Sequence, residues 1–137
     1  MGGRRFLLDT NILSDVVRRP RGEVARRMRG ESEDSICTSI IVAAELRYGA
    51  AKRAAPRLSE QLEMILDVLE ILPFEPPADA IYGSVRADLE RRGQLIGPND
   101  LLIAAQALAL GHILVTDNVG EFSRVPGLAV ENWRHRH

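Results

Sequence analysis

The chain reads as an α/β protein in which helices cover both faces of a mostly parallel sheet, a three-layer arrangement. Short aliphatic runs at Phe6–Leu8, Ile36–Thr38 and Ile113–Thr116 have the make-up of strands buried in a parallel sheet. Between them lie longer segments of helical periodicity, and strands alternating with helices are the pattern of that fold class. A length of 137 residues, 45% hydrophobic and 27% charged, fits one compact domain over 1–137.

Taken in order, Phe6–Leu8 opens the sheet and a helix follows from about Asn11 until Pro20 interrupts it; a second helical piece runs toward Arg29. After Ile36–Thr38, Thr38 or Ser39 is placed to cap the helix IIVAAELRYGAAKR. Pro56 suits the first turn of the next helix, RLSEQLEMILDVLEI, which the spacing carries to a stop at Pro73. Leu58, Leu62, Ile65, Leu66 and Leu69 form its core stripe, while Glu60, Glu63, Asp67 and Glu70 occupy the opposite face. Ala78–Arg92 is a further helix, ended by Gly93. The turn Gly97-Pro98-Asn99 launches DLLIAAQALALG, nearly free of polar residues and so mostly buried, with Gly111 as its stop. The strand Ile113–Thr116 leads into a loop, DNVGEFSRVPG, and a terminal strand near Leu128–Glu131.

Aromatics are scarce at 4%, so no stacking platform for nucleic acid is visible. The single Cys37 excludes an intramolecular disulfide and a cysteine zinc site. With no apolar run near the roughly 20 residues that span a bilayer and no secretory h-region, a cytoplasmic setting without membrane contact is expected. Net charge is −1, yet Arg18, Arg19, Arg21, Arg26, Arg27 and Arg29 crowd one short segment. Guanidinium forks match phosphate geometry, although a solvated helix face is the more ordinary reading of such a cluster.

Most of the 19 acidic residues need no function, but four stand in unusual places. Glu45 is aligned at helical spacing with Ile41, Val42, Tyr48 and Gly49, and Asp100 with Ile103, Ala104 and Ala107. A carboxylate in an apolar stripe must be paired, protonated or bound to a metal. Asp9 and Asp117 each follow an apolar strand, and ligands of open α/β sheets bind beyond the strands' carboxyl ends. Singly, Asp9 is a fair helix cap, Asp100 a favourable charge at a helix start, Glu45 a partner for a buried arginine and Asp117 a loop residue. Together they converge in one topology. Two carboxylates about 4 Å apart repel by roughly 4 kcal/mol at an effective dielectric near 20, so protons or cations must neutralise the group. Only oxygen ligands are on offer, since His112, His135 and His137 do not cluster with them; Mg²⁺ or Mn²⁺ fits that set and zinc does not.

LLDTN near the start, the AELRYG helix, IGPNDLLIAAQALALG and LVTDNVGEF followed by VPGLAVENW resemble, over essentially the whole chain, the PIN-domain toxins of bacterial VapBC and FitAB toxin–antitoxin pairs. The resemblance implies a PIN-like α/β/α fold and a Mg²⁺-dependent endoribonuclease, with Mn²⁺ able to substitute, that leaves a 5′ phosphate and a 3′ hydroxyl. Among the family's targets are tRNA and ribosomal RNA loops. Its first acid matches Asp9, its second Glu45 and its third Asp100. The family's fourth position, Thr, any residue, then Asp or Asn, lands on Asn118 and leaves Asp117 one place early, with Glu121 nearby. Asp117 is taken as the fourth acid, with Thr10, Asn11, Thr116 and Asn118 as supporting groups and Arg18, Arg19, Arg21, Arg26 and Arg27 as candidates to position RNA. The resemblance further implies a homodimer held in check by a small VapB- or FitA-like antitoxin, with the helix at Arg57–Leu72 as one docking surface. Two rivals remain. A haloacid-dehalogenase-like phosphatase needs a second acid where Asn11 stands, and a catalytically silent PIN-like protein would bind RNA or antitoxin without turnover.

Overall fold

A computed structural model describes residues 4–134; His135 and His137 lie outside the described residues. Five strands form one sheet in the order β3-β2-β1-β4-β5: β1 Phe6–Leu8, β2 Ile36–Ser39, β3 Glu70–Leu72, β4 Ile113–Val115 and β5 Val130–Glu131. Every pairing is parallel, with Leu8 opposite Thr38 on one side and opposite Val115 on the other. All carboxyl ends therefore share one edge. The order reverses between β1 and β4, so the crevice expected at such a switch point lies directly after Leu8.

The helices are α1 Thr10–Arg18, α2 Glu23–Gly30, α3 Ile40–Arg53, α4 Pro56–Asp67, α5 Ala78–Arg91, α6 Pro98–Leu110 and α7 Val119–Phe122. α1, α3 and α4 pack together, and α5 pairs closely with α6, giving the α/β/α layering that the alternation predicts. Leu7, Leu8, Leu114 and Val115 are fully buried in the middle layer. α6 buries Leu101 and every side chain from Ile103 to Ala107, as its apolar composition requires. Gln106 in that run is tied down by donating to the carbonyls of Leu72 and Pro73 at 3.1 and 2.9 Å. Gly111 ends the helix in the left-handed conformation, φ 69°.

Two elements differ from the expectation. The helix after Pro56 ends at Asp67, and Glu70–Leu72 is an edge strand beside β2. Leu-Glu-Ile-Leu satisfies both the helical and the strand period, and pairing with the open edge of β2 decides the matter. Glu70 is accordingly a strand residue paired with Arg5 at 2.8 Å. In the loop after β4, the single turn α7 forms, and the last strand is shorter than expected, Val130–Glu131.

Candidate active site

Asp9 follows β1 immediately, and its backbone N–H donates to Val115 O at 2.9 Å, which seats it between β1 and β4. One carboxylate oxygen caps α1 by accepting from the Thr10 N–H at 2.8 Å; the other accepts from the Thr116 hydroxyl at 2.8 Å. Asp9 thus fills both roles open to it, cap and member of an acidic group. Only 2% of its surface is exposed. Burial raises its carboxyl above the usual range, the two hydrogen bonds pull it back, and the charges of Glu45 and Glu121 add to the rise.

Glu45 projects from α3 toward the start of α1. The Thr10 hydroxyl donates to one of its oxygens, and the Asn99 amide to the other at 3.0 Å. Asp100 stands in the first turn of α6, half-buried. Burial is the main reason its carboxyl is pushed up to about 8; a hydrogen bond with Glu121 and the charges of Asp9, Glu121 and Glu45 add to it.

Glu121 is the residue that the strand-end argument passed over. α7 turns it back to Asp100, and the Asn118 side chain donates to it at 3.0 Å. Asp117, expected as the fourth acid, faces the other way: Arg134 lies 2.7 Å from its carboxylate and the Asn132 amide donates to it at 3.3 Å. The chain bends at Asp117, so that Thr116 and Asn118 are bonded to the acids while the Asp117 side chain meets the 132–134 segment. Asn11 contributes through its side-chain oxygen, which accepts from the Asp117 N–H at 3.0 Å.

The charges of Glu45 and Glu121 therefore act on both Asp9 and Asp100, and none of the four has an arginine or lysine partner among the described residues. As the side chains stand, no three metal-binding groups among the described residues are gathered closely enough to hold an ion. The donor set is nonetheless oxygen alone, oriented by hydroxyls and amides, and a divalent cation can offset its charge.

The linkage has a definite sign. Between the ordinary Asp100 value of 3.8 and about 8, the folded state holds a proton that the unfolded state has lost. This group's contribution to stability is therefore present in acid and disappears as pH rises through about 8. Thermal midpoints of the metal-free protein from about pH 5 to about pH 9 should show that decline, Asp100→Asn should flatten it, and Mg²⁺ should restore stability most at the alkaline end.

Of the arginines expected to meet RNA, Arg19 is paired with Asp15 at 2.7 Å, and Arg27 lies 4.5 Å over the Trp133 ring while pairing with Glu31 at 3.0 Å. Those two are engaged with the protein itself. Arg18, Arg21, Arg26 and Arg29 are exposed. Beside the acids, a cleft of about 220 Å³ is lined by Thr10, Glu45, Leu46 and Leu62, with Arg18 and Arg53 also on its walls.

Known proteins resemble this chain over nearly its whole length. Residues 6–128 match the PIN domain family. A protein named ribonuclease VapC2 from Haemophilus influenzae is 42% identical over 130 residues, covering 94% of this chain and 98% of its own. A tRNA(fMet)-specific endonuclease VapC from Salmonella typhimurium is 35% identical, over 94% of this chain and 98% of its own. Among solved structures, DNA-bound VapBC from Salmonella typhimurium superposes with a TM-score of 0.90 at 34% identity, covering 96% of this chain and all of that one. With an all-parallel sheet, an acidic crevice at its switch point and relatives matched over nearly their full length, the chain belongs to the PIN-domain family, among the VapC ribonucleases.

Proposed function

We propose that this chain is the toxin half of a type II toxin–antitoxin pair, a single-domain Mg²⁺-dependent endoribonuclease in which Mn²⁺ can substitute. The observation that carries the reading is the group of four carboxyls without an arginine or lysine partner among the described residues. Asp9 and Asp100 would be the principal ligands, with Glu45 and Glu121 completing the set. A divalent ion held there supplies charge neutralisation at the scissile phosphate and an activated water for in-line attack.

The chain's own groups prepare that centre. Thr116 orients Asp9, Thr10 and Asn99 orient Glu45, and Asn118 orients Glu121, each through a neutral donor that leaves the carboxylate's charge intact. Arg18, Arg21 and Arg26 draw the RNA backbone toward the crevice, so binding should weaken steeply with salt. The substrate class we assign is a structured RNA with an accessible loop, where bases are unstacked and readable. Initiator tRNA is the first candidate, since the 35% identical relative carries that specificity in its name. The partner is a small VapB- or FitA-like antitoxin bound to a toxin homodimer, and the exposed Met64 and Val68 on α4 and just beyond it offer apolar surface for docking.

Incubation of the purified chain with a tRNA pool and Mg²⁺ should yield discrete fragments with 5′ phosphates, and EDTA should abolish them. Equal cleavage in EDTA overturns the metal mechanism. Absence of cleavage with either cation, alongside retained RNA or antitoxin binding, favours the catalytically silent alternative. Thr116→Val should lower cation affinity or activity by about 10–100-fold, read as the Mg²⁺ concentration for half-maximal rate.

A further inference from the structure

The chain's Asn132–Arg134 segment reaches back to the stretch between β4 and α7. Besides its 2.7 Å contact with Asp117, Arg134 places Nε 3.6 Å from a carboxylate oxygen of Asp15, and its backbone N–H donates to Asn132 Oδ1 at 2.8 Å. The site is partly sheltered: the Arg134 and Asp117 side chains are 28% and 17% exposed, and that of Asp15 only 5%. Trp133, 2% exposed and edge-on to Phe6 at 5.2 Å, anchors the segment to β1.

We propose that Arg134 is a positioning residue for the acidic centre, acting through Asp117; the inference rests on the reading that this centre binds a divalent cation. Thr116, Asp117 and Asn118 form one short stretch bent at Asp117, so the settings of the three side chains are linked. Thr116 donates to Asp9, its oxygen accepts from the Asn118 N–H at 3.0 Å, and Asn118 holds Glu121. Turning Asp117 toward the acids would disturb the hydrogen bonds of both supporting side chains and add a fifth negative charge to the group. Arg134, Asn132 and Asn11 together hold Asp117 in the outward setting. The arginine supplies the charge that makes this setting favourable, in a partly buried place where an ion pair is screened less than at the surface.

The test is Mn²⁺ binding by calorimetry, with the Mg²⁺ requirement of cleavage beside it, on wild type, Arg134→Ala, Asp117→Ala and the double variant. Arg134→Ala should weaken cation binding by about 10–100-fold while the rate at saturating cation stays within a few-fold, and Arg134→Lys should recover most of the loss. The double variant should be no worse than either single one, since both remove the same contact. Cation binding unchanged in Arg134→Ala, or fully additive losses, overturns the positioning role alone. A wild type that takes up no Mn²⁺ overturns the metal reading and this inference with it. Should the alanine variant fail to fold, Arg134→Gln supplies the same comparison.

Discussion

Asp9→Asn is expected to reduce RNA cleavage by at least the roughly 10²–10³-fold that the loss of one preorganised electrostatic contact costs. The substitution keeps the shape and one of the two hydrogen bonds: asparagine caps helices as well as aspartate does, and its single side-chain oxygen can still accept from Thr10 or from Thr116. What disappears is a negative charge buried to 2% exposure beside two other carboxylates. Without metal, that charge is a burden on the folded state, so the thermal midpoint of the variant should equal or exceed that of wild type while activity collapses. Initial rates at saturating Mg²⁺, paired with a melting curve, check both halves. A variant within about tenfold of wild-type rate would contradict the role proposed for Asp9.

Phe122→Ala should cost about 3–5 kcal/mol, the usual penalty for emptying a fully buried aromatic site, against a total stability of about 5–15 kcal/mol. The expectation is sharper than for other core positions because α7 is only four residues long and Phe122 is its one buried residue. So short a helix has no stability of its own; it exists because this ring is held in the core. Losing the ring should free Glu121 from Asp100 as well. Urea unfolding should show a lower midpoint at unchanged slope, and the same variant should require more Mg²⁺ for cleavage. Phe122→Leu, which keeps most of the volume, should cost less than about 1.5 kcal/mol. A Phe122→Ala midpoint close to wild type would mean that α7 is anchored by something other than this ring.

These two residues also mark where the sequence was legible and where it was not. Asp9, Glu45 and Asp100 were conspicuous because each breaks a pattern: a carboxylate at the end of an apolar strand, or inside an apolar helical stripe, needs a reason. The structure brings the three together through the parallel register of β1, β2 and β4. Glu121 broke no pattern. The stretch after β4 has no periodicity over a single helical turn, and Asp117 met the strand-end criterion better, so the deciding fact was Arg134, 17 residues further on. The same short-range ambiguity hid β3, since three residues between Val68-Leu69 and Pro73 fit either period until the exposed edge of β2 selects one. Arg27 looked like a free cation for a similar reason, since Trp133 and Glu131 reach it through tertiary packing, whereas the Arg19–Asp15 pair is local, at helical spacing.

The order of strands has a consequence for synthesis. Asp9, Glu45, Asp100 and Glu121 emerge from the ribosome far apart in time, and β1 gains its second neighbour only when β4 arrives. A nascent chain shorter than that carries three acids but no crevice in which they meet. The acidic crevice therefore cannot assemble until nearly all of the chain has been read.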